Sequence, residues 1–509
     1  MRFLSVHRHI LPVIFLFLLT VSVSAQSSRP NIILIVSEDN GPELSCYGEK
    51  VLQTPFLDKL AQEGVRFTNA YTTYSLCSPS RSSIFTGLYP HQNGQTGLAT
   101  HKYHMYPGIK TLPVFLQNAG YRTGIIGKIH VNPESEIPFD FHAIDNANFA
   151  RKNMMEYIRQ SQKFMNASDS PFFLMVNFPD AHYPLVRQAE GMPAKPIDGK
   201  DLKTTLSFVG TKSDRLLNYT ADYYNSMERM DELCGRLFKA IDSAGKSSNT
   251  LIIYLGDHGA QFSRGKESNY EGGMKIPLIM GGPLVKNRNS VNNDLVSVVD
   301  LLPTIMDFAS KPVTEKIAGH SLRPILEDVP DPLVRKYLAT ECDGGTSIFF
   351  YPTRGIRNHR YKLIHNLRPG VENPKYFLYA RHFNEHFYGG TEEPELRSAP
   401  DSVRRAYYRW HFPPEYELYD LDNDPAEWND LAEKPEMQQV LRELKKALQQ
   451  WQKETRDPLA DPKLLKAYID EMEAVKVKYP NHGYQKNKEF EWKFTERFEE
   501  YVRKGRRKE

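Results

Sequence analysis

Between residues 30 and 280 the chain alternates short apolar runs with amphipathic segments. The run at residues 32–36 contains only Ile, Leu and Val, as expected of a strand that is buried on both faces of a parallel sheet. Helices between such strands cover both faces of the sheet. The pattern therefore predicts an α/β fold with a doubly wound, mostly parallel sheet. Strands are predicted over residues 32–36, 65–71, 121–127, 172–178, 251–255 and 277–280, and helices over 55–64, 112–118 and 219–244.

The pattern changes after about residue 335. Short strands at 362–365 and 416–421 alternate with aromatic loops, a helix is predicted over 437–451, and a charged helical stretch follows from about residue 462. These features predict a small antiparallel sheet. We therefore expect a larger N-terminal domain over residues 26–335 and a smaller C-terminal domain with a helical tail over residues 336–509.

Residues 1–25 have the pattern of a secretory signal peptide. Arg2 and Arg8 precede an apolar run over residues 10–23, and small residues at 23–25 offer a cleavage site. A permanent anchor is disfavoured because the run is shorter than the roughly 20 apolar residues that a bilayer requires. Since no later stretch is long enough either, we expect an exported protein with no stable membrane span. It would be periplasmic or secreted, or lysosomal in an animal host.

The charge balance argues against nucleic acid as a partner. With 65 Lys and Arg against 62 Asp and Glu, the formal net charge is only +3 over 509 residues. Nucleic-acid-binding domains are typically much more basic. The basic stretch at residues 503–508 is expected to be a solvated tail.

Charged or imidazole side chains follow four of the predicted strands, at the point where each strand ends. Any one of them is typical of a polar turn. In doubly wound sheets, however, the carboxyl ends of the parallel strands meet at one edge, where binding sites form. We therefore expect a single site there. Its members, in chain order, are Glu38 and Asp39, Lys128 and His130, His182, and Asp257 and His258.

Three carboxylates and one imidazole in this set suit a divalent metal ion. Glu38, Asp39, Asp257 and His258 are the candidate ligands. Carboxylate oxygens favour a hard ion, calcium above all. Such an ion would hold a substrate oxygen and neutralise the charge that develops as a bond breaks.

A cysteine motif, Cys-Ser-Pro-Ser-Arg at residues 77–81, is followed after four intervening residues by Thr-Gly at 86–87. Pro79 predicts that a helix begins only at Ser80, with its N-terminal N–H groups facing an anion. Arg81 would direct its guanidinium to the same place. The alternative for Cys77 is a buried structural cysteine beside a helix cap.

This motif resembles the signature of the type I sulfatase family, in which the cysteine is oxidised to formylglycine (3-oxoalanine). The resemblance implies that Cys77 is modified in this way, contacts the metal ion and supplies the nucleophile. One hydroxyl of the hydrated aldehyde would attack sulfur, and loss of a proton from the other would expel sulfate. A formylglycine-generating or sulfatase-maturating enzyme is then a required partner. An alkaline-phosphatase-like fold is also implied.

The remaining catalytic candidates are cations and imidazoles. Arg81, Lys128 and Lys266 would balance the charge of a sulfate group. His182 is assigned as the general acid to the leaving atom and His130 as the base, because imidazole titrates near neutrality. The two histidines could exchange roles, and an exposed lysine is the alternative for Lys266.

Residues 29–458 are similar to the heparan N-sulfatase (sulfamidase) branch of the family. This similarity implies a sulfated oligosaccharide substrate that carries a terminal N-sulfoglucosamine. The stretches that carry it are residues 77–81, 91–94, 122–128 with 130–131, 138–141, 451–455 and 457–458.

Several positions depart from that branch. Where this chain has Glu38-Asp39, the branch has Asp-Asp, and where this chain has Asp257-His258, the branch has Asp-Asn. The branch also has Arg in place of Lys266 and a different loop at residues 343–345. An imidazole ligand is softer, so manganese or another ion competes with calcium. The alternatives are therefore an O-sulfatase for an algal polysaccharide such as ulvan, a phosphodiesterase or phosphonate hydrolase, or a glycan-binding protein with unmodified cysteine.

Cysteines are few for an exported chain of this length. With Cys77 assigned to catalysis, Cys46, Cys234 and Cys342 remain, which allows at most one disulfide.

Overall fold

The computed structural model describes residues 29–330, 334–380 and 389–506, so the predicted signal peptide lies outside the described residues. The strands are β1 (Asn31–Ser37), β2 (Gly64–Tyr71), β3 (Arg122–Ile126), β4 (Phe141–Ala143), β5 (Phe172–Phe178), β6 (Thr250–Gly256), β7 (Lys275–Gly281), β8 (Ser290–Asn292), β9 (Val296–Ser297), β10 (Leu338–Cys342), β11 (Thr353–Arg357), β12 (Tyr361–Asn366) and β13 (Tyr416–Asp420). The α-helices are α1 (Pro55–Gln62), α2 (Cys77–Thr86), α3 (Pro90–Asn93), α4 (Leu112–Asn118), α5 (Met155–Asn166), α6 (Asp214–Ser243), α7 (Glu271–Met274), α8 (Leu301–Phe308), α9 (Arg323–Leu326), α10 (Lys375–Ala380), α11 (Glu393–Arg397), α12 (Asp401–His411), α13 (Gln438–Thr455), α14 (Pro462–Lys478) and α15 (Phe494–Arg506).

The larger sheet has the strand order β4-β3-β5-β1-β6-β7-β2-β8, with β9 paired to β2. β1 lies between β5 and β6 and is parallel to both. β7 alone opposes its neighbours, since it is antiparallel to β6 and to β2. The prediction of a mostly parallel sheet is therefore confirmed.

Both faces of the larger sheet are buried, as the apolar runs predicted. Ile33 and Ile35 of β1 pack in one core cluster with Met227 of α6. Leu34 lies in a second cluster with Leu302 of α8. Successive strand residues point to opposite faces, so this alternation places helices on both sides. α6 begins at Asp214, earlier than predicted, because the Ser213 hydroxyl accepts a hydrogen bond from the Leu216 N–H and caps the helix.

The predicted start of α2 is wrong. The helix begins at Cys77 itself, with Pro79 as its third residue. Residues in the first turn of a helix donate no intrahelical N–H bond, so proline is tolerated there. Cys77 consequently lies at the helix N-terminus rather than before it.

The smaller sheet is antiparallel, with the order β10-β11-β12-β13. α13 packs on it, with Leu444 and Leu448 against Ile356, Leu363 and Leu418. α14 and α15 form the helical tail. All four cysteines are free thiols, within the limit of one disulfide. Among the described residues, no helix combines the length and apolarity needed to cross a bilayer.

A buried ion-pair cluster joins the smaller sheet to the rest of the chain. Arg354 of β11 donates from Nε and Nη2 to the two carboxylate oxygens of Asp457, at 2.9 and 3.0 Å. Its Nη1 donates to Asp343 at 2.6 Å. Glu341 lies 3.5 Å from the same guanidinium and 3.1 Å from His91, which belongs to the N-terminal part of the chain. All five side chains are buried, so each charge depends on its partners.

Asp457→Asn is expected to lower the free energy of unfolding by about 3–5 kcal/mol, because it removes a negative charge that compensates the buried guanidinium of Arg354. Burial alone would raise the pKa of Asp457, but Arg354 and His91 hold that pKa well below its usual range. The stabilisation is then complete above about pH 4 and lost as the pH falls further. Urea unfolding should show the deficit of the variant at pH 7 and a smaller deficit near pH 3. The exposed Asp422→Asn serves as the control, and a deficit that does not change with pH would contradict the assignment.

Candidate active site

Neighbouring strand ends bring the predicted residues together. β1 and β6 are in register, with Ser37 opposite Gly256, so the residues that follow them meet at one edge of the sheet. The Asp257 N–H donates to the Ser37 carbonyl at 3.0 Å, and the Asp39 N–H donates to Asp257 Oδ1 at 3.0 Å. The ends of β5 and β3 lie beside β1 in the same direction.

Ligand atoms of Asp39, Cys77 and His258 lie within 4.8 Å of one another at this edge, and the Asp257 carboxylate lies beside His258. His258 Nε2 lies 3.2 Å from Asp39 Oδ1, 3.7 Å from Asp257 Oδ1 and 3.3 Å from Cys77 Sγ. The other ring nitrogen, His258 Nδ1, donates to the Gly259 carbonyl at 3.0 Å. That hydrogen bond fixes the ring so that Nε2 is the nitrogen facing the carboxylates, as in a metal-ligating histidine.

The pKa values of Asp39, Asp257 and His258 reflect their close packing in a buried place. Burial raises the pKa of Asp39. Burial would also lower the pKa of His258, but Asp257 and Asp39 raise it to about 9. For Asp257, His258 and Arg81 outweigh burial and lower the pKa to about 2. Two buried carboxylates, one imidazole and one sulfur atom therefore fit a divalent ion.

Glu38 faces a different part of the site. Its carboxylate accepts a hydrogen bond from Lys128 Nζ at 2.5 Å and lies 3.6 Å from Arg81 Nη2. It also groups with Cys77 and a ring nitrogen of His182, all within 4.8 Å of one another. Glu38 thus lies between Cys77 on one side and the cationic side chains of Lys128 and Arg81 on the other.

Cys77 is buried at the centre of these groups, as the first residue of α2. Its Sγ lies 3.7 Å from Lys266 Nζ. Burial would raise the pKa of the thiol, but Lys266 and Lys128 lower it to about 5. The surroundings of this side chain therefore stabilise negative charge.

Arg81 is completely buried and donates to three acceptors, one of which is the Lys128 carbonyl, 3.4 Å from Nη1. Its Nε donates to Asp257 Oδ2 at 3.1 Å, and its Nη1 donates to Asn177 Oδ1 at 3.0 Å. Nη2 is buried and has no hydrogen-bond acceptor among the described residues. A buried guanidinium N–H without an acceptor is costly, so this atom fits an anionic oxygen of a substrate.

Lys266 is not the exposed lysine that was its alternative. Nζ donates to both oxygens of Asp39 at 2.9 Å, and the residue is buried. Together with Lys128 and Arg81, it supplies three positive charges opposite the carboxylates of Glu38, Asp39 and Asp257. A divalent ion would therefore give the site a net positive charge for a sulfate group.

His130 and His182 flank the cavity and are neutral at rest. Burial, together with Lys128, lowers the pKa of His130 well below its usual value. Burial, together with Lys266, does the same to the pKa of His182. His182 Nδ1 donates to the Tyr183 carbonyl at 2.6 Å. A neutral imidazole can act as a base without further change. For an imidazole that acts as an acid, a bound anion would raise its pKa, so that the ring could carry the proton it donates.

The structure adds residues that sequence reasoning missed. Asn177 holds Arg81, and it stands out as a polar residue within the apolar run of β5. Phe149 stacks on the His182 ring with centroids 4.3 Å apart, and no pattern in the sequence signals this contact. Nothing in the sequence signals that Asn481 and His482 of the tail line the cavity.

Part of this site opens into a cavity of about 690 Å³. Cys77, His130, His182 and Lys266 line one part of it, and Phe349, beyond the smaller sheet's first strand, lines another. This volume lies within the range of small-ligand pockets in proteins. The cavity can hold a short saccharide.

Comparisons with known proteins agree with this arrangement. The sequence profile of the sulfatase family matches residues 30–311, and that of the N-sulphoglucosamine sulphohydrolase C-terminal region matches residues 256–382. Human N-sulphoglucosamine sulphohydrolase is 32% identical over 85% of this chain and 91% of its own length. An ulvan-active sulfatase of Formosa agariphila is 30% identical over 86% of this chain and 83% of its own.

A solved structure of a protein in complex with its substrate, D-glucosamine-2-N,6-O-disulfate, superposes with a TM-score of 0.62 at 23% identity. The match covers 84% of this chain and 99% of that one. Fold and strand-end geometry thus define an α/β protein of the alkaline-phosphatase-like class. The chain belongs to the sulfatase family, as residues 77–87 indicated.

Proposed function

We propose that this protein is a formylglycine-dependent sulfatase that removes sulfate from the terminal residue of a sulfated saccharide, with the N-sulfate of glucosamine as the leading substrate. One observation carries the proposal. Cys77 lies buried among Lys128, Lys266 and Arg81, whose Nη2 has no other acceptor among the described residues. The similarity to human N-sulphoglucosamine sulphohydrolase supports the choice of sugar.

Cys77 is proposed as the formylglycine site. The hydrated aldehyde would supply the oxygen nucleophile that a thiol cannot. Its position at the N-terminus of α2, with Lys266 Nζ 3.7 Å away, supports this role because both groups stabilise an oxyanion. A formylglycine-generating or sulfatase-maturating enzyme is the proposed partner that modifies it.

Asp39, Asp257 and His258, with Glu38 and the modified Cys77, are proposed to hold one divalent ion, calcium in the first instance. Bound there, the ion would neutralise charge on a sulfate oxygen. The contacts of His258 and Asp39 with Cys77, at 3.3 and 3.9 Å, support this set.

His182 and His130 are proposed to move the protons. His182 would protonate the leaving nitrogen or oxygen, after the anionic substrate has raised its pKa. His130, whose buried Nδ1 has no partner in the described part of the chain, would accept the proton whose removal releases sulfate. Arg81, Lys128 and Lys266 would hold the sulfate oxygens.

An O-sulfatase that acts on an algal polysaccharide such as ulvan is the second candidate. The similarity to the ulvan-active sulfatase of Formosa agariphila favours it. The lysine at position 266 is a point charge rather than a bidentate fork, so the sulfate would be held differently from that of the N-sulfatase branch. A phosphodiesterase or phosphonate hydrolase would be distinguished by its relative rates on aryl phosphate and aryl sulfate.

Chain length of the substrate tests the proposal. Cys77 and Lys266 are buried at the wall of the cavity, so a terminal sulfated residue should reach them more readily than the interior of a polymer. Sulfate release per sulfate group is expected to be at least about tenfold faster from short oligosaccharides with a sulfated end residue than from long chains. Equal rates would contradict a terminal-acting pocket. Release from an O-sulfated sugar but not from N-sulfoglucosamine would favour the second candidate.

We further propose that the protein is exported through residues 1–25, to the periplasm or outside the cell. In an animal host, the destination would be the lysosome. Residues 26–335 are proposed as the catalytic domain and residues 336–509 as the smaller domain, whose loop at Phe349 completes the cavity.

A further inference from the structure

The C-terminal tail contributes two side chains to the cavity that contains Cys77. Asn481 and His482, which lie between α14 and α15, line it together with His101 and Phe349. These tail residues are more than 400 positions from the cysteine in sequence. The substrate wall is therefore assembled from both ends of the described chain.

Several contacts hold the tail against the loop that contains His101. Tyr484 and His101 share a hydrogen bond of 2.8 Å between the hydroxyl and Nδ1. Trp492 Nε1 donates to the His101 carbonyl at 3.0 Å, and Gln485 Nε2 donates to the Thr100 carbonyl at 3.0 Å. Tyr484 and Trp492 are buried in an aromatic cluster with Tyr103. The chain that directly follows Asn481 and His482 is consequently held against this loop.

The imidazole of His482 has a nitrogen that no described residue satisfies. Its ring packs edge-on against His101, with centroids 4.6 Å apart. Nδ1 is buried and forms no hydrogen bond with any described residue. Burial also lowers the pKa of His482, so the ring is neutral and can donate from one nitrogen and accept at the other. Because His482 lines the cavity, a ligand or a water molecule there can supply the hydrogen bond that the imidazole lacks.

The backbone is also adapted to present these side chains. Asn481 and His482 have φ values of 51° and 60°, in the left-handed region that most residues avoid. Asn and His are among the residues that tolerate this conformation best. Two consecutive residues of this kind form a tight corner, and both side chains of the corner line the cavity.

We propose that Asn481 and His482 are specificity-determining residues that hydrogen-bond to uncharged hydroxyl groups of the sugar carrying the sulfate. This inference rests on the proposed function. The amide and the neutral imidazole can each donate and accept, as hydroxyl recognition requires. A site that pairs with a substrate hydroxyl discriminates strongly against a substrate without it. Aryl sulfates, which lack sugar hydroxyls, therefore gain nothing from the tail.

The test compares a sulfated saccharide that the wild-type enzyme hydrolyses with 4-nitrophenyl sulfate. His482→Gly removes the side chain and also suits a positive φ, so it should fold. It is expected to raise KM for the saccharide about tenfold, with kcat/KM for the aryl sulfate unchanged within about twofold. His482→Asn keeps left-handed tolerance and a polar atom close to the position of Nδ1, so it should recover most of the loss.

Lys488→Ala, an exposed change on the same segment, is the matched control and should alter neither substrate. Equal saccharide KM values for the wild type and His482→Gly would overturn the inference while leaving the proposed function in place. An equal loss on both substrates would also overturn it, since that is the mark of a merely structural role. A wild-type enzyme that cleaves the aryl sulfate but no saccharide would instead overturn the proposed function, and the inference with it.

Discussion

Cys77→Ala is expected to lower the rate of sulfate release by at least about a thousandfold, because it removes the proposed nucleophile while binding groups remain. The substitution removes one buried atom at the first position of α2, where alanine is well tolerated, so the fold should persist. Sulfate release from an aryl sulfate and from a saccharide should both be lost, and circular dichroism and the melting temperature should stay close to those of the wild type.

Mass spectrometry should show directly whether Cys77 has been modified. In enzyme from a host that matures sulfatases, the tryptic peptide over residues 67–81 should carry an aldehyde in place of the thiol. Cys46→Ala is the matched control, because Cys46 is only half-buried and is no part of the site. It should retain both the modification and the activity. An active enzyme that contains only unmodified thiol at residue 77 would contradict the assignment.

Much of the site could be predicted because its position follows from topology. Parallel strands buried on both faces appear in the sequence as continuous apolar runs, and their carboxyl ends must lie at one edge. Glu38, Asp39, Asp257 and His258 therefore could be brought together before any coordinates, and Lys128 with them. The direction of β7 was not predictable in this way, since an apolar run carries no sign of strand direction.

What was missed depends on contacts between distant segments. Pro79 suggested a later start for α2, because proline was taken to exclude the residues before it from the helix. Proline is in fact tolerated within the first turn, where Pro79 lies. The stacking of Phe149 on His182 and the placement of His482 beside His101 arise only when loops pack together. No spacing in the sequence records such contacts, so a single sequence identifies reacting groups better than it identifies the wall that selects the substrate.

Removal of the divalent ion is expected to reduce sulfate release to below about 1% of its starting rate, and calcium should restore it. Asp257→Asn should prevent that restoration, because Asp257 is a proposed ligand and also holds Arg81 Nε at 3.1 Å. Elemental analysis should find about one ion per chain in the wild type and almost none in the variant. Full activity in protein without bound metal would show that the assignment is wrong.

Asp300→Asn provides a matched control for that variant. Asp300 is also a completely buried carboxylate paired with an arginine, Arg335, at 2.7 Å, but it is no part of the site. Its loss should lower stability and leave the metal content unchanged. A fall in bound metal in both variants would mean that loosening of the fold, rather than loss of a ligand, releases the ion.

His258→Asn tests which ion the site prefers. The imidazole Nε2 lies 3.2 Å from Asp39 Oδ1 and is a softer donor than an amide oxygen. The ratio of the manganese-supported rate to the calcium-supported rate should therefore be about threefold or more higher in the wild type than in the variant. The ratio of the two rates, measured in the same preparation, cancels differences in folding and in the extent of Cys77 modification. Because the amide of the variant would offer the metal only oxygen, an unchanged ratio would place His258 outside the coordination sphere.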